Sequence, residues 1–339
     1  MNSSSSLYEN SGKSSELGED FKEICDKNFS LPNIGFKKDL ESNNFFNSSI
    51  QCLTNIKMLS QFMLFNTDYV KKPNEVDNNN MNRFKYCKRI NNLIVNLYGN
   101  NEDMHNNINI SLNELKEYIF KERRYKYDNK DNHNPKELIK FLLKEFDDIN
   151  LLPKEIKIIF TKKCSCKENL EKDDLCIMEF DIMEMTRYYN INRKLTIYDC
   201  FDYYFKSLNN KKINECEVCK KNVNVSVKKL PSVLMIFIYY GFDKNCCCEN
   251  GYEFDEIIHL KNFNKEYFLS GMIACKNIGT YFELFYTFSR LDKNSNYTIY
   301  NGSEVRKNLK ITNKLKKPKI DLKDKKQSWP FVLIYIDKN

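Results

Sequence analysis

Four cysteines form two close pairs of the kind that can hold a metal ion. Cys216 and Cys219 form a C-x-x-C pair, and Cys164 and Cys166 form a tighter C-x-C pair earlier in the chain. Four thiolates bind Zn²⁺ tetrahedrally, and each pair ties down one turn. C-x-x-C is the usual spacing for such a turn, whereas C-x-C is less usual. The pattern predicts a structural Zn²⁺ site, and ordinary thiols in accidental pairs are the alternative.

The chain's 13 cysteines also bear on its cellular location. The N-terminal residues contain no apolar stretch of the kind that directs secretion. Thiols in a protein that is not secreted stay reduced or bind metal. We therefore expect an intracellular protein, in the cytoplasm or nucleus.

No hydrophobic run reaches the roughly 18–20 residues that span a bilayer, so no membrane partner is expected. Cys246, Cys247 and Cys248 are expected in a variable hairpin loop.

The net charge of +8 is modest for 339 residues, and many of the cations lie in the segment 306–326. A basic run of this kind can contact phosphate or an acidic partner. No aromatic residue interrupts the run before Trp329, so a solvated loop is favoured over nucleic-acid binding.

Apolar residues in the first half recur at helical spacing. The periodicity predicts helices that begin near residue 44 and at Pro135. Ser111 and Glu114 form an S-x-x-E pattern, which predicts a helix start at Ser111.

From about residue 155 the pattern changes to short β-branched and aromatic segments separated by polar turns. One helix is expected among them, in TIYDCFDYYFKSL. Helices followed by strands indicate an α+β fold. The predicted strand segments are EIKIIF, LCIMEFDI, VLMIFIYY, SGMIAC, YFELFYTF, NYTIY and FVLIYI.

These segments, in this order, resemble the sequence boxes of the ubiquitin-specific protease family of cysteine deubiquitinases. NFFNSSIQCL resembles the second half of the box that carries the family's nucleophile, with matches at Phe45, Asn47, Ser48, Ile50, Gln51, Cys52 and Leu53. Further boxes are resembled by LPNIG, HNPKELIKFLL, the cysteine pairs, LPSVLMIFI, GTYFELF, NYTIYNGSEV and PFVLIYI.

The resemblance implies a papain-like cysteine-protease fold of the ubiquitin-specific protease type. It has a helical thumb, a β palm and zinc-ribbon-like fingers, which the family uses to grip ubiquitin. We expect a flexible polar tail over residues 1–28 and one domain over 29–339. Within that domain the thumb is expected at about 29–155, and the fingers and palm at about 156–339.

The family's catalytic chemistry is not carried over with the fold. Isopeptide hydrolysis needs a thiolate, a base and donors for the oxyanion. Asn44 occupies the position of the nucleophile, Thr280 that of the base, and Gly302 that of the orienting carboxylate. Ser42 occupies the position of the oxyanion donor. We therefore expect an inactive pseudo-deubiquitinase.

Other residues offer a weaker route to activity, because a displaced Cys–His pair would need to form elsewhere. Cys52 lies eight positions after Asn44 on the same predicted helix, about 12 Å away at 1.5 Å per residue. The chain has three histidines, His105, His133 and His259, and each is expected to be an ordinary polar residue.

The resemblance also implies a channel for a Gly-Gly tail, formed by Asn134, Glu137, Gly279 and Tyr281. Asn134 replaces the family's usual aspartate, so one charged contact with the tail is lost. Three hypotheses follow: a domain that binds ubiquitin or a ubiquitin-like protein without cutting it, a scaffold in a larger assembly such as the splicing machinery, or an active deubiquitinase with an atypical site.

Overall fold

The computed structural model describes most of the chain. The described residues are 30–33, 35–36, 44–65, 78–98, 104–122, 134–148, 152–164, 166–175, 177–189, 193–210, 219, 223–240, 251–276, 284–317 and 328–338. Several predicted positions therefore lie outside the described residues: the tail 1–28, Ser42, His133, Cys216, the loop with Cys246 to Cys248, and Gly279, Thr280 and Tyr281.

The N-terminal half forms a helical layer. Its helices are α1 (Asn44–Thr54), α2 (Lys57–Phe65), α3 (Asn78–Tyr98), α4 (Met104–Glu117) and α5 (Pro135–Asp148), and a π-helical turn (Tyr118–Glu122) extends α4. Apolar residues repeat every three or four positions along α5, which buries Leu138, Leu142 and Phe146 on one face. The helices expected near residue 44 and at Pro135 are confirmed.

The helix start predicted at Ser111 is wrong. Helix α4 begins seven residues earlier, at Met104, and Ser111 lies in its interior. The Ser111 Oγ accepts a hydrogen bond from the Asn96 side chain of α3, 2.8 Å away, so the serine links two helices instead of capping one.

The C-terminal half contains an eight-stranded sheet, which forms the palm. Its strands run in the order β12 (Glu304–Leu309), β11 (Tyr297–Asn301), β10 (Leu284–Ser289), β9 (Lys265–Lys276), β13 (Ser328–Asp337), β6 (Val233–Tyr239) and β3 (Ile177–Asp181), with β8 (Ile257–Leu260) also paired to β9. Only the β3–β6 pair is parallel among the described pairs of this sheet. Strand β13 is central and almost wholly buried, which explains its continuous apolar sequence.

A second, three-stranded sheet forms the fingers, in the order β2 (Lys167–Leu175), β1 (Lys157–Cys164) and β5 (Asn224–Lys229). The remaining elements are α6 (Ile182–Tyr189), β4 (Leu195–Thr196), α7 (Ile197–Asn210), β7 (Tyr252–Glu253) and the short α8 (Asn313–Lys316). The helix predicted in TIYDCFDYYFKSL is α7. The predicted α+β class is confirmed. None of the described helices is long and apolar enough to cross a membrane.

Helix α1 joins the helical layer to the palm. It packs against β10, β9 and α5, and every residue from Phe45 to Thr54 is buried. The Thr287 hydroxyl of β10 donates to the Ser48 carbonyl over 3.1 Å, and the Asn55 Nδ2, just after the helix, donates to the Ser289 Oγ over 2.9 Å. This packing fixes the N-terminal end of α1 beside strands β10 and β11.

Phe46 anchors α1 within the helical layer, because its ring is fully buried and lies 5.6 Å from the Phe120 ring. We expect Phe46→Ala to lower the free energy of unfolding by about 3–5 kcal/mol, through lost burial and the cavity left behind. Urea denaturation measures the change. Ile110→Ala is the matched control, since Ile110 is 57% exposed on α4 and should shift stability by less than about 0.5 kcal/mol. Similar losses in both variants would contradict the assignment.

Candidate functional site

A small cleft lies where the N-terminal end of α1 meets β10 and β11. Two of the predicted site positions, Asn44 and Gly302, both line it. The described lining residues are Phe36, Asn44, Asn47, Ser48, Gln51, Phe285, Thr287, Tyr300 and Gly302. About 10 Å³ is accessible to the centre of a water molecule, which is room for about one water. The fold therefore brings together the two positions, 44 and 302, that the sequence resemblance assigned to the nucleophile and the orienting carboxylate.

Asn44 is the first residue of α1. The N-terminal end of a helix carries a partial positive charge, and this lowers the pKa of a thiol placed there. Position 44 would therefore suit a reactive cysteine. An amide has no proton to lose near neutral pH and is not among the side chains that form covalent intermediates.

Gly302 belongs to a tight turn between β11 and β12, in which Asn301 pairs with Glu304. Its φ of 64° is in the left-handed region, which favours glycine. A Cβ on Gly35 would lie 2.1 Å from the Gly302 carbonyl oxygen, so two glycine backbones meet at this point. A carboxylate at position 302 would strain the turn, and none is present in the described part of the cleft.

The neighbouring residue, Asn301, was missed by sequence reasoning. It ends strand β11, and its buried Oδ1 has no hydrogen-bond partner among the residues that the structure describes. Asn301 is not among the described residues that line the cleft, although it directly precedes Gly302. The signal in the sequence was the polar side chain of Asn301 directly before Gly302, the position that the resemblance assigned to the orienting carboxylate.

None of the six cysteines whose side chains the structure describes lines this cleft, and no described histidine side chain does. Cys52 is buried in the helical layer, and burial raises the pKa of its thiol far above the ordinary value. Cys200 and Cys275 are fully buried as well. His259 lies on β8, where its Nδ1 is 3.2 Å from a Glu266 carboxylate oxygen.

On the other side of α1, the start of α5 carries the two described residues of the predicted tail channel. The Asn134 Oδ1 accepts a hydrogen bond from the Lys136 backbone N–H over 3.0 Å, so Asn134 caps the helix. The Glu137 Oε1 accepts a hydrogen bond from the Tyr239 hydroxyl over 3.2 Å and lies 3.5 Å from the Lys140 Nζ. Glu137 remains half-exposed and faces the palm.

Lys136 fastens α5 to the palm from a buried position. Its Nζ donates to the Ile238 carbonyl over 2.8 Å and lies 3.7 Å from the centre of the Tyr239 ring and 4.8 Å from that of Phe331. Burial lowers the pKa of Lys136 to about 7, against the opposing charge of Glu137. The sequence analysis assigned this lysine no role.

Three of the four predicted metal ligands come together at the tip of the fingers. The Cys164 Sγ lies 3.2 Å from the Cys166 Sγ and 3.4 Å from the Cys219 Sγ. All three sulfurs lie within 4.8 Å of one another. Two sulfurs bound to one tetrahedral Zn²⁺ at about 2.3 Å are separated by roughly 3.8 Å, so this group fits a metal ion. The fourth predicted ligand, Cys216, is outside the described residues.

No protein-family model matches the chain, and no curated protein matches it.

Solved structures do match. The SAGA DUB module Ubp8/Sgf11/Sus1/Sgf73 bound to monoubiquitin matches with a TM-score of 0.57 and 15% identity, covering 96% of this chain and 75% of that one. The same module bound to ubiquitin aldehyde matches with a TM-score of 0.57 and 16% identity, over the same shares. The yeast SAGA DUB module with an Sgf73 mutant matches with a TM-score of 0.53 and 16% identity, covering 96% of this chain and 74% of that one. The fold is that of the ubiquitin-specific protease type, as the sequence predicted.

The buried Lys136 makes stability depend on pH. The unfolded chain keeps this amine protonated up to a pKa near 10.5, whereas the folded protein releases the proton from about pH 7. The unfolded state thus binds more protons than the folded state above pH 7. The free energy of unfolding therefore rises with pH in this range, by up to about 1.4 kcal/mol per pH unit. We expect Lys136→Met, which cannot titrate, to be more stable than the natural protein at pH 6, with the gap closing towards pH 9.

Urea denaturation of both proteins at pH 6, 7, 8 and 9 measures this gap. Lys144→Met is the control, since Lys144 is exposed on the same helix. A stability difference between Lys136→Met and the natural protein that stays constant across this range would contradict the depressed pKa.

Proposed function

We propose that this protein is a ubiquitin-specific-protease-like domain that binds ubiquitin or a ubiquitin-like protein without hydrolysing the bond at its C-terminus. The observation that carries the proposal is Asn44, which stands at the N-terminal end of α1 in the cleft where a nucleophile would be needed.

Support for binding comes from the fold. The matching Ubp8 modules are described as bound to monoubiquitin and to ubiquitin aldehyde, and the similarity extends over 96% of this chain. The thumb, palm and fingers that would form such a grip are all present. In this proposal, Glu137 and Asn134 contact the tail together with Gly279 and Tyr281.

Support for inactivity comes from the residue types. We propose that Asn44, Thr280 and Gly302 replace the nucleophile, the base and an acid, and that Ser42 stands at the oxyanion position. Threonine does not exchange a proton near neutral pH. An active deubiquitinase with an atypical site would need a thiol near the cleft, and the described thiols lie elsewhere.

A scaffold role is the second candidate. The matching structures are multichain modules of Ubp8, Sgf11, Sus1 and Sgf73, which favours a domain that assembles with other chains. A role in an assembly such as the splicing machinery would be compatible with loss of both catalysis and ubiquitin binding.

We further propose that the cysteine group holds a structural Zn²⁺, with Cys216 as the fourth ligand. The ion would tie the β1–β2 turn to the segment before β5 and so stabilise the tip of the fingers. The expected division into a tail (1–28) and one domain (29–339), and an intracellular location in the cytoplasm or nucleus, are part of the same proposal.

Asn44→Cys tests whether the tail reaches the cleft. A ubiquitin probe with a thiol-reactive C-terminus should leave the natural protein unlabelled and label Asn44→Cys at one site per chain, because a thiol at a helix N-terminus has a lowered pKa. Intact-mass spectrometry measures labelling. Asn44→Ser is the matched control, and excess unmodified ubiquitin should suppress the reaction.

Labelling of the natural protein at a single cysteine, blocked by unmodified ubiquitin, would show an active thiol and contradict the inactivity. Titration of the natural protein with unmodified ubiquitin separates the binding domain from the scaffold. Saturable binding supports the first, and absence of binding with no labelling of Asn44→Cys supports the second.

The zinc proposal predicts one Zn²⁺ per chain in the purified protein and a loss of about 90% of it in Cys219→Ser, because three remaining ligands bind more weakly than four. Inductively coupled plasma mass spectrometry gives the metal content. Cys200→Ser is the control, since this buried cysteine lies on α7 away from the group and its variant should keep the metal. Metal-free natural protein would refute the proposal.

A further inference from the structure

A cavity lies where helices α5, α6 and α7 meet strands β3 and β6. Its volume is about 670 Å³, within the range of about 300–1,000 Å³ that is typical of ligand-binding sites. Among the described residues, none lines both this cavity and the cleft at α1. The cavity is therefore a second site, and neither the sequence analysis nor the proposed function gives it a role.

The cavity is negatively charged, although the whole chain carries a net charge of +8. Three carboxylates line it, and Lys140 is the one cation among its described lining residues. The Lys140 Nζ pairs with Glu179 and donates to the Tyr239 hydroxyl over 2.7 Å, so its charge is balanced within the wall. The other two carboxylates, Asp181 and Glu184, form no ion pair with a described cation.

Neutral donors hold these two carboxylates in place. The Asp181 Oδ1 accepts a hydrogen bond from the Glu184 backbone N–H over 2.9 Å, so Asp181 caps helix α6. The Glu184 Oε1 accepts a hydrogen bond from the Tyr203 hydroxyl. These bonds position two negative charges three residues apart at the start of α6 and leave both charges without a counterion in the described part of the chain.

Tyrosine side chains supply much of the remaining wall. Tyr203 and Tyr204 of α7 and Tyr239 of β6 all line the cavity. The ring of Tyr188 packs edge-on against that of Tyr203, with 5.2 Å between the ring centres, and is 53% exposed. The aromatic surface thus continues from the cavity to solvent. The faces of such rings attract cations, and tyrosine and arginine are enriched among the residues that dominate binding at protein interfaces.

Carboxylates next to tyrosine rings favour a planar cation. A guanidinium group donates forked hydrogen bonds to carboxylates and stacks on aromatic faces, whereas an ammonium is a compact and strongly hydrated charge. The guanidinium also loses less hydration when it leaves water. Arginine carries this group on a long apolar stem, so its side chain can enter a cavity while the peptide backbone stays outside.

We propose that this cavity binds an arginine side chain of a protein partner. Asp181 and Glu184 accept hydrogen bonds from the guanidinium, and the tyrosine rings lie against it. The inference goes beyond the proposed function, because it concerns a separate site and requires neither ubiquitin nor an inactive cleft.

Two peptides that differ in charge but not in size test the proposal. One is a seven-residue peptide of glycine and serine with a central arginine, and in the other citrulline replaces the arginine with a neutral group of the same shape. Full-length protein with ¹³C-labelled tyrosine rings is titrated with each peptide, and the ring shifts in NMR spectra give the Kd. We expect the arginine peptide to bind at least about 10-fold more tightly than the citrulline peptide, because its hydrogen bonds are charge-assisted. A peptide with a central lysine should bind more weakly than the arginine peptide.

The double variant Asp181→Asn, Glu184→Gln removes both charges with almost no change of shape. Asparagine caps a helix as well as aspartate does, and glutamine keeps an acceptor for the Tyr203 hydroxyl. This variant should bind the arginine peptide no more tightly than the citrulline peptide. The control is Glu114→Gln, Glu117→Gln, which removes two charges from exposed positions on α4 outside the cavity and should keep the preference. Thermal denaturation checks that both variants are folded, and the comparison of peptides in the natural protein stands without them.

Equal affinity of the natural protein for the arginine and citrulline peptides, or binding of neither, would overturn the inference. A preference that survives in the Asp181→Asn, Glu184→Gln variant would place the site elsewhere and overturn it as well, and a lysine peptide that binds as tightly as the arginine peptide would overturn the choice of arginine. None of these results bears on the proposed function, which the ubiquitin titration and the probe reaction test separately.

Discussion

The packing of α1 between the helical layer and the palm is the constraint on which the rest of the structure depends. Ten consecutive residues of this helix are buried, and hydrogen bonds to β10 fix both its middle and its end. None of these contacts involves the identity of the side chain at position 44. The first residue of the helix is therefore held at the cleft whatever its side chain is.

A second set of contacts holds the start of α5 to the palm in a similar way. Lys136 donates to a backbone carbonyl of β6 between two aromatic rings, and Lys140 pairs with Glu179 of β3. The buried amine has no carboxylate partner in the described part of the chain, which is why burial dominates its pKa. These contacts position Asn134 and Glu137, the two described residues of the predicted tail channel, beside the palm.

The class of fold was predictable because periodicity is a local property. Apolar residues that recur every three or four positions predicted helix α5. The apolar run near the C-terminus predicted strand β13, which lies at the centre of the palm. The role of Ser111 was not predictable, because its partner Asn96 lies on another helix. The same limit applies to Asn301 and Lys136, whose burial depends on elements distant in sequence. The approach of Gly35 to Gly302 likewise joins segments that are far apart along the chain.

We propose above that this domain holds a ubiquitin-like tail without breaking the bond at its end. The most direct measurement is single-turnover hydrolysis of ubiquitin carrying a fluorogenic amide at its C-terminus, with the protein in excess and complex formation followed by anisotropy in the same sample. The account predicts that anisotropy rises to saturation while released fluorophore stays at the level of the buffer. Release that grows with protein concentration, and that is lost when a single cysteine is replaced by serine, would contradict it.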